Sequence, residues 1–287
     1  MKSSKRSRRN VLGMAAAGVG SVLLPRFGLA PAVAAAAQEK PLVVPPWDAV
    51  PDCALSATDR AGQGPFFIHD GDRADDVSLF RQDIRGRYNM AAEPGTEMQL
   101  HLRVLRAGTA QCGAQPLEGV EVYVWHVDAQ GFYSGFGEPG EQTPDEPYRF
   151  RPGPNDLDNN ERFCRGVGVS DRNGVVSFRS IFPGWYNGRD VHIHTIVFKR
   201  GSAGTRNPRY RGGEHLFTTQ LYFEPALIDQ VHKASEPYLR RTMHAAYAGV
   251  ILGDERGASG LRMKAEFTKG VVTSQMQLVM DPEQSRG

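Results

Sequence analysis

Short runs in which apolar and polar residues alternate recur along most of this chain. The clearest run is 96–105 (TEMQLHLRVL), where every second side chain is apolar, and 120–127 (VEVYVWHV) is a second strong run. A period of two is typical of a strand with one buried face. Further strands are predicted at 175–180, 192–198, 216–223, 261–267 and 271–279.

Turn residues separate these runs, and one segment differs in its period. Asp171-Arg172-Asn173-Gly174 precedes one strand, and Lys269-Gly270 joins the last two runs as a hairpin. Residues 225–248 are predicted to be a helix that Pro237 interrupts. Many short strands with little helix indicate a β-sandwich or a barrel. We predict an all-β fold: a β-sandwich core of short antiparallel strands with long loops and one peripheral helix.

Two segments without periodic spacing of their apolar residues are candidates for shaping a binding pocket. Residues 138–160 are polar and contain five prolines, and long loops in compact domains are often lids or binding segments. Residues 62–70 contain a Gly-Pro turn followed by Phe66 and Phe67. Those aromatic residues are expected either in the core or as the wall of an aromatic pocket.

The N-terminus is typical of an export signal rather than of the fold. Arg8 and Arg9 precede an apolar stretch, 11–24, that is too short and too rich in Ala and Gly to be predicted as a membrane span, and small residues follow at 32–37. We predict that residues 1–37 are a Tat-type signal peptide, which implies a periplasmic or extracellular location. The alternative is a disordered basic tail.

Removing that segment changes the charge of the chain. The full chain has a net charge of +2, but residues 1–37 hold six basic and no acidic residues, which leaves 28 basic and 32 acidic residues, a net of −4. Bulk charge therefore argues against nucleic-acid binding. No later segment is apolar and long enough to span a membrane. Residues 38–52 are predicted to be a linker or N-terminal arm, and 53–287 a single domain.

The chain has three cysteines, and their spacing excludes one class of site. Cys53, Cys112 and Cys164 include no C-x-x-C pair, the arrangement of many metal and redox sites. Export would permit a disulfide, with one thiol left over. The sequence leaves open which two would pair.

Candidate chemistry concentrates in residues 182–198 (FPGWYNGRDVHIHTIVF). Side chains alternate faces along a strand, so His192 and His194 point the same way and can reach a single ion. Tyr186 lies upstream, beyond a Pro-Gly turn, where its phenol could approach the same point. The alternative is that both histidines are structural. The opposite face suits a buried side and contains Val191, Ile193, Thr195 and Val197.

Several segments together resemble one enzyme family. Its matching segments here are 64–67 (GPFF), 128–133 (DAQGFY), 183–186 (PGWY), 192–194 (HIH) and 219–223 (TQLYF), with Arg189 three residues before the first histidine. In this combination the chain resembles the intradiol ring-cleavage dioxygenases, the family of catechol 1,2- and protocatechuate 3,4-dioxygenases. The likeness runs from about residue 53 to residue 225. The form PGWYNGR and the export signal are similar to the secreted branch of that family.

The resemblance implies a non-haem ferric ion and a specific reaction. The implied ligands are Tyr133, Tyr186, His192 and His194. A hard ferric ion prefers anionic oxygen, which tyrosinate supplies, whereas zinc sites more usually take cysteine, histidine or carboxylate. The implied reaction inserts both atoms of O₂ into a catechol-type ring between the hydroxyl-bearing carbons and yields a muconic-type diacid.

The resemblance also implies roles for three residues. Tyr186 would leave the metal and accept a catechol proton, and Arg189 would stabilise negative charge on the substrate. Gln220 would hydrogen-bond oxygen at the metal. Without the resemblance, Arg189 is expected in a surface salt bridge and Gln220 on a solvent-facing strand. The spacing from Tyr186 to His192 is shorter than in the best-known soluble members, so substrate range and assembly do not transfer.

Two other functions remain open from the sequence. One is a β-sandwich binding module without turnover, and the other is a zinc or copper enzyme that uses the same histidines. Colour separates them, because tyrosinate bound to ferric iron absorbs visible light. The specific catechol and the oligomeric state are open. The remaining histidines are predicted to be structural: His69, His101, His126, His215, His232 and His244.

Overall fold

A computed structural model gives the architecture of most of the domain. It describes residues 41–48, 58–64, 66–68, 79–86, 92–107, 115–136, 161–186, 189–199, 213–239 and 261–281. The predicted export signal, Cys53, Cys112 and the 138–160 loop lie outside the described residues. The described part is a sandwich of two β-sheets with two short helices.

Nine strands and two helices follow one another along the described chain. The strands are β1 (Glu97–Arg106), β2 (Gln115–Pro116), β3 (Val120–Trp125), β4 (Arg165–Val169), β5 (Val175–Ile181), β6 (His192–Lys199), β7 (Glu214–Tyr222), β8 (Lys264–Thr268) and β9 (Val271–Met280). The helices are α1 (Pro225–Ala234) and α2 (Glu236–Leu239). No described helix is long and apolar enough to cross a membrane.

The first sheet is built around β1. Its strands run in the order β8–β9–β1, and both β2 and β5 pair with the other edge of β1. All of these pairs are antiparallel except β1 with β9, which is parallel over ten residues of each strand. The β1–β9 pair therefore differs from the antiparallel pattern predicted for the sandwich. Their sequence separation explains this, because no hairpin turn dictates their relative direction.

The second sheet is antiparallel throughout, in the order β4–β3–β6–β7. The register of β6 places Trp125 of β3 on one side of His194 and Gln220 of β7 on the other side. His192 lies opposite Tyr222 of β7. Three neighbouring strands therefore bring the predicted site residues of β6 and β7 into one patch.

Apolar side chains fill two separate clusters. The main core between the sheets includes Met98, Leu100 and Leu102 of β1, Val122 and Val124 of β3, Phe178 of β5, and Ile193 and Val197 of β6. A second, largely aromatic cluster contains Tyr123 and Trp125 of β3 and Ile196 of β6, together with Phe66, Tyr133 and Tyr186 from loops. Strand β6 is thus buried on both faces, whereas its alternation predicted one buried face.

Strand β4 was not expected from the sequence, and its glycines explain why. Glycine lowers strand propensity, and RGVGV contains two. A Cβ on Gly166 would lie 2.4 Å from Ile84 Cγ2, and one on Gly168 would lie 2.3 Å from Val176 Cγ2. Close packing on the one face that residues 166 and 168 share therefore requires glycine in this strand.

The predicted helix is interrupted next to Pro237, as expected. Helix α1 buries Leu227, Ile228 and Val231, and the backbone then becomes extended at Ser235 (φ −135°, ψ 130°). A helix continuing through Pro237 would lose one hydrogen bond and bring the proline ring against the preceding turn. The chain therefore restarts as α2, and residues 240–248 lie outside the described part.

Candidate metal centre

Strand β6 presents two imidazoles side by side on its outer face. The Nε2 atoms of His192 and His194 are 3.1 Å apart, and both rings are buried. The His194 ring stacks on Trp125 with 4.8 Å between centroids and 6° between planes. Gly64 (φ +74°) packs against the same imidazole, since a Cβ there would lie 3.0 Å from His194 Cε1. These neighbours hold the ring in place.

Two turns that pack against each other position Tyr133 and Tyr186. The Asp128 carboxylate accepts hydrogen bonds from the N–H groups of Gln130 (2.8 Å) and Phe132 (2.9 Å), which forms a tight turn before Tyr133. The N–H of Gly184 donates to the Asp128 carbonyl at 2.8 Å, so the Pro-Gly turn packs directly on the first turn. The Tyr133 and Tyr186 hydroxyl oxygens consequently lie 3.3 Å apart.

The four side chains converge on one point. The Tyr133 oxygen is 2.9 Å from His194 Nε2 and 3.5 Å from His192 Nε2, and the Tyr186 oxygen is 3.3 Å from His192 Nε2. Ligand atoms about 2.0 to 2.1 Å from one ion, at angles of about 90° to 120°, are separated by roughly 2.9 to 3.6 Å. The spacing of the donor atoms therefore fits a single metal ion.

The composition of this set favours one type of metal. No three of histidine, cysteine, aspartate and glutamate cluster for a metal among the described residues. The donor set consists instead of two phenols and two imidazoles, which matches a hard trivalent ion better than zinc. The structure thus brings the four predicted ligands together in a set whose donor types favour a hard trivalent metal ion.

The electrostatics keep both imidazoles neutral. Burial, with a smaller contribution from Arg189, lowers the pKa of His192 well below its ordinary value. Burial and then His192 lower the pKa of His194 in the same direction. His192 Nδ1 lies 2.6 Å from the Asp190 carbonyl, to which it donates in the tautomer that leaves an Nε2 lone pair for a metal.

Arg189 and Gln220 lie beside the cluster rather than at the surface. Arg189 Nη1 is 3.5 Å from the Tyr186 hydroxyl, and Nη2 donates to Gln220 Oε1. The same Oε1 accepts the Tyr222 hydroxyl at 2.9 Å, and Gln220 Nε2 donates to the Gly62 carbonyl at 2.5 Å. The amide orientation of Gln220 is therefore set by three neighbours.

The other described histidines have local partners. His101 Nδ1 lies 2.8 Å from the Ser177 hydroxyl, and His126 bridges the Val127 carbonyl and the Ser180 hydroxyl, each at 2.7 Å. His232 stacks on Tyr238, and His215 lies 2.7 Å from the Thr218 hydroxyl. These contacts fit the structural roles predicted for them. His69 and His244 lie outside the described residues.

Sequence reasoning missed several residues that contact the cluster. Trp125 supports His194, and Tyr222 orients Gln220; Tyr222 stands inside the TQLYF segment but no role was predicted for it. Arg165 contacts the Tyr133 ring from β4, and no motif identifies it. Predicting β4 as a strand would have been the only sequence signal that places Arg165 near Tyr133. The structure also places Cys164 as a buried free thiol.

Comparisons with known proteins show similarity to intradiol dioxygenases. No protein-family profile matches the chain. Catechol 1,2-dioxygenase of Acinetobacter baylyi is 24% identical over 164 residues, 51% of this chain and 43% of the relative, so the match spans less than half of that protein. The solved structure of an intradiol ring-cleavage dioxygenase from Tetranychus urticae superposes with a TM-score of 0.55 at 22% identity, covering 79% of this chain and 96% of that one. The chain thus resembles the intradiol dioxygenases in sequence and shares their fold.

Proposed function

We propose that this chain is an Fe(III)-dependent intradiol dioxygenase acting on a catechol-type aromatic compound. The observation that carries the proposal is the convergence of two phenol oxygens and two imidazole nitrogens within 2.9–3.5 Å. The fold shared with an intradiol dioxygenase supports it independently. The proposed products are muconic-type diacids, formed by cleavage between the two hydroxyl-bearing carbons.

Four residues would hold the ferric ion: Tyr133, Tyr186, His192 and His194. When bound, the ion would supply a Lewis acid that activates a catecholate for reaction with O₂. As phenolates, Tyr133 and Tyr186 would offset most of its positive charge within a buried site. The neutral histidines complete the set without adding charge.

The remaining roles belong to side chains around the cluster. Tyr186 is the proposed base for a catechol proton, as the family resemblance implies, and Arg189 Nη1, 3.5 Å from its hydroxyl, would stabilise the phenolate form that accepts the proton. Arg189 would also stabilise negative charge that develops on the substrate. Gln220 is the proposed hydrogen-bond partner for oxygen at the site, and it fixes Arg189 through its Oε1. The aromatic cluster around Tyr133 and Trp125 excludes water.

The experiment combines metal analysis with oxygen uptake on a panel of catechols and identification of the products. The proposal expects about one iron per chain, a red to burgundy colour, and consumption of O₂ with formation of a ring-opened diacid. Stoichiometric zinc or copper without that colour would contradict the iron assignment. A protein that binds aromatics without consuming O₂ would instead be a binding module.

We further propose export through the Tat pathway, on the basis of Arg8 and Arg9 before the apolar segment. The pathway carries folded proteins, so the metal could be acquired before export. Replacing both arginines with lysine should retain the protein inside the cell, whereas a single replacement should retain less. Unchanged secretion of the double variant would contradict this proposal.

A further inference from the structure

A buried arginine lies against the aromatic ring of Tyr133. Arg165 is the first residue of β4 and is fully buried. Its guanidinium carbon is 5.8 Å from the centroid of the Tyr133 ring and 5.4 Å from that of Phe136. Cations within about 6 Å of a ring face are attracted to its electrons. Arg165 is thus in direct contact with one proposed metal ligand.

The hydrogen bonds of Arg165 join the two segments that carry and cover that ligand. Nε donates to the Ser134 carbonyl (3.2 Å) and hydroxyl (3.0 Å), immediately after Tyr133. Nη1 donates to the Phe66 carbonyl at 2.7 Å. The Phe66 ring itself stacks on Tyr133, with 4.3 Å between centroids and 17° between planes. The guanidinium therefore hydrogen-bonds the residue that follows Tyr133 and the backbone of Phe66, whose ring covers Tyr133.

The charge of Arg165 is not balanced by a carboxylate in the part of the chain that the structure describes. Its hydrogen-bond partners are carbonyls and a hydroxyl. A buried cation without an anion costs free energy, yet a guanidinium stays protonated in proteins. Two phenols interact with the guanidinium, Tyr123 first and Tyr133 second, and of these two Tyr133 is the one in the donor cluster, 2.9 Å from His194 Nε2. A phenolate at Tyr133 would therefore compensate this charge.

The two proposed phenolate ligands have different cations. Tyr186 faces Arg189, which is only partly buried and is also hydrogen-bonded to Gln220. Tyr133 has the fully buried Arg165 beside its ring. A fixed, dehydrated charge acts more strongly than one near solvent. The difference favours Tyr133 as the tyrosine that stays on the metal.

We propose that Arg165 is a positioning residue that holds Tyr133 for the metal and stabilises it as a phenolate. This inference rests on the proposed iron site. The positive charge lowers the energy of the phenolate electrons, so the phenolate-to-iron absorption band of Tyr133 lies at shorter wavelength than it would without Arg165. Loss of the charge should move that band to longer wavelength and lower the reduction potential of the iron.

The test compares Arg165→Met and Arg165→Lys in the iron-loaded protein by visible absorption and potentiometry. Arg165→Met should show the shift of the band and the lower potential. Arg165→Lys keeps the charge but not the planar set of donors, so its band should stay close to that of the unsubstituted protein even where its stability falls. The lysine variant also guards against failure of Arg165→Met to fold.

Two controls isolate Tyr133. The shift caused by Arg165→Met should persist in a Tyr186→Phe background, where Tyr133 supplies the band, and disappear in a Tyr133→Phe background. Arg81→Met is the matched control for packing, because Arg81 also donates to carbonyls, those of Gly86 (2.7 Å), Arg162 and Arg165. It should lower stability without moving the band.

The outcomes separate this inference from the function on which it rests. Coloured, active Arg165 variants with unmoved bands would overturn the inference and leave the dioxygenase intact. An equal shift in Arg165→Lys or Arg81→Met would also overturn it, because disturbed packing would then explain the effect. A parent protein that takes up no iron overturns the proposed function and this inference together.

Discussion

The two sheets of the sandwich differ in what covers their outer faces. In the first sheet, β1 alternates between buried and partly exposed positions over much of its length, and β8 is exposed or half-buried at every residue. In the second, all six residues of β3 and the first six of β6 are buried. The additional burial comes from loops that pack aromatic side chains on the outside of β3 and β6.

That difference explains why the candidate metal centre lies on the second sheet. Buried histidines occur in both regions, and burial lowers the pKa of His101 on β1 as well as those of His192 and His194. His101 contacts the hydroxyl of Ser177, whereas the two histidines of β6 contact the phenol oxygens of Tyr133 and Tyr186. Burial makes an imidazole neutral, but only convergence with other donors makes it a candidate ligand.

The largest effect should come from removing a histidine of β6. His192→Ala and His194→Ala should each lose bound iron and activity together, because a four-donor site becomes a three-donor site. His101→Ala, the matched change on the first sheet, should cost stability and keep iron in the folded protein. Metal analysis and visible absorption measure both. A coloured, active His194→Ala protein would show that the pair is structural.

The two tyrosines should differ from each other in turnover. Tyr186→Phe should keep much of its iron and still bind catechol, but ring opening should slow by about 10²- to 10⁴-fold, the usual contribution of a positioned base. Tyr133→Phe should chiefly change colour, iron affinity and reduction potential. Rapid mixing with substrate separates catechol binding from ring opening. Ring opening at the parent rate in Tyr186→Phe would remove Tyr186 from the proton transfer.

The fully buried His126 should make folding stability depend on pH. Burial lowers its pKa from 6.5 to about 4. As pH falls below 6.5 the unfolded chain binds a proton that the fold does not, so stability present above pH 6.5 is lost progressively down to pH 4. The loss amounts to roughly 3 kcal/mol, at about 1.4 kcal/mol for each unit of pKa.

Denaturant unfolding of the metal-free protein at pH 7 and at pH 4.5 measures that loss. His126→Gln should reduce the difference between the two pH values. The control is His215→Gln, which should reduce it less, since His215 is exposed and its pKa is lowered less strongly by burial. The same pH dependence in His126→Gln and the parent protein would contradict the prediction.

The smallest effect is expected at Tyr222, whose hydroxyl orients Gln220. Tyr222→Phe should keep the iron and lower kcat by roughly fivefold, since one hydrogen bond contributes about 1 kcal/mol. Tyr238→Phe is the control: its hydroxyl donates to the Phe182 carbonyl at 2.6 Å, away from the cluster, so stability should fall while kcat holds. Equal kcat values for the two variants would show that Tyr222 does not act through Gln220.

The sequence alone determined the elements that depend on local pattern. Alternation predicted β1, β3, β5, β6 and β7 within a few residues, because side-chain direction in a strand depends only on neighbouring positions. The motif segments also supplied Tyr133, Tyr186, Arg189, His192, His194 and Gln220, which the structure brings into one cluster. Their roles in catalysis remain predictions.

Only the tertiary structure decided which surfaces those elements share. Strand β4 carries two glycines that propensity disfavours, and packing against Ile84 and Val176 requires them. The parallel pairing of β1 with β9 and the burial of both faces of β6 arise from contacts between residues distant in sequence. Arg165 has no local signature at all. It lies 32 residues after Tyr133 in the chain, and only the stacking of β4 against the loops brings its charge to that ring.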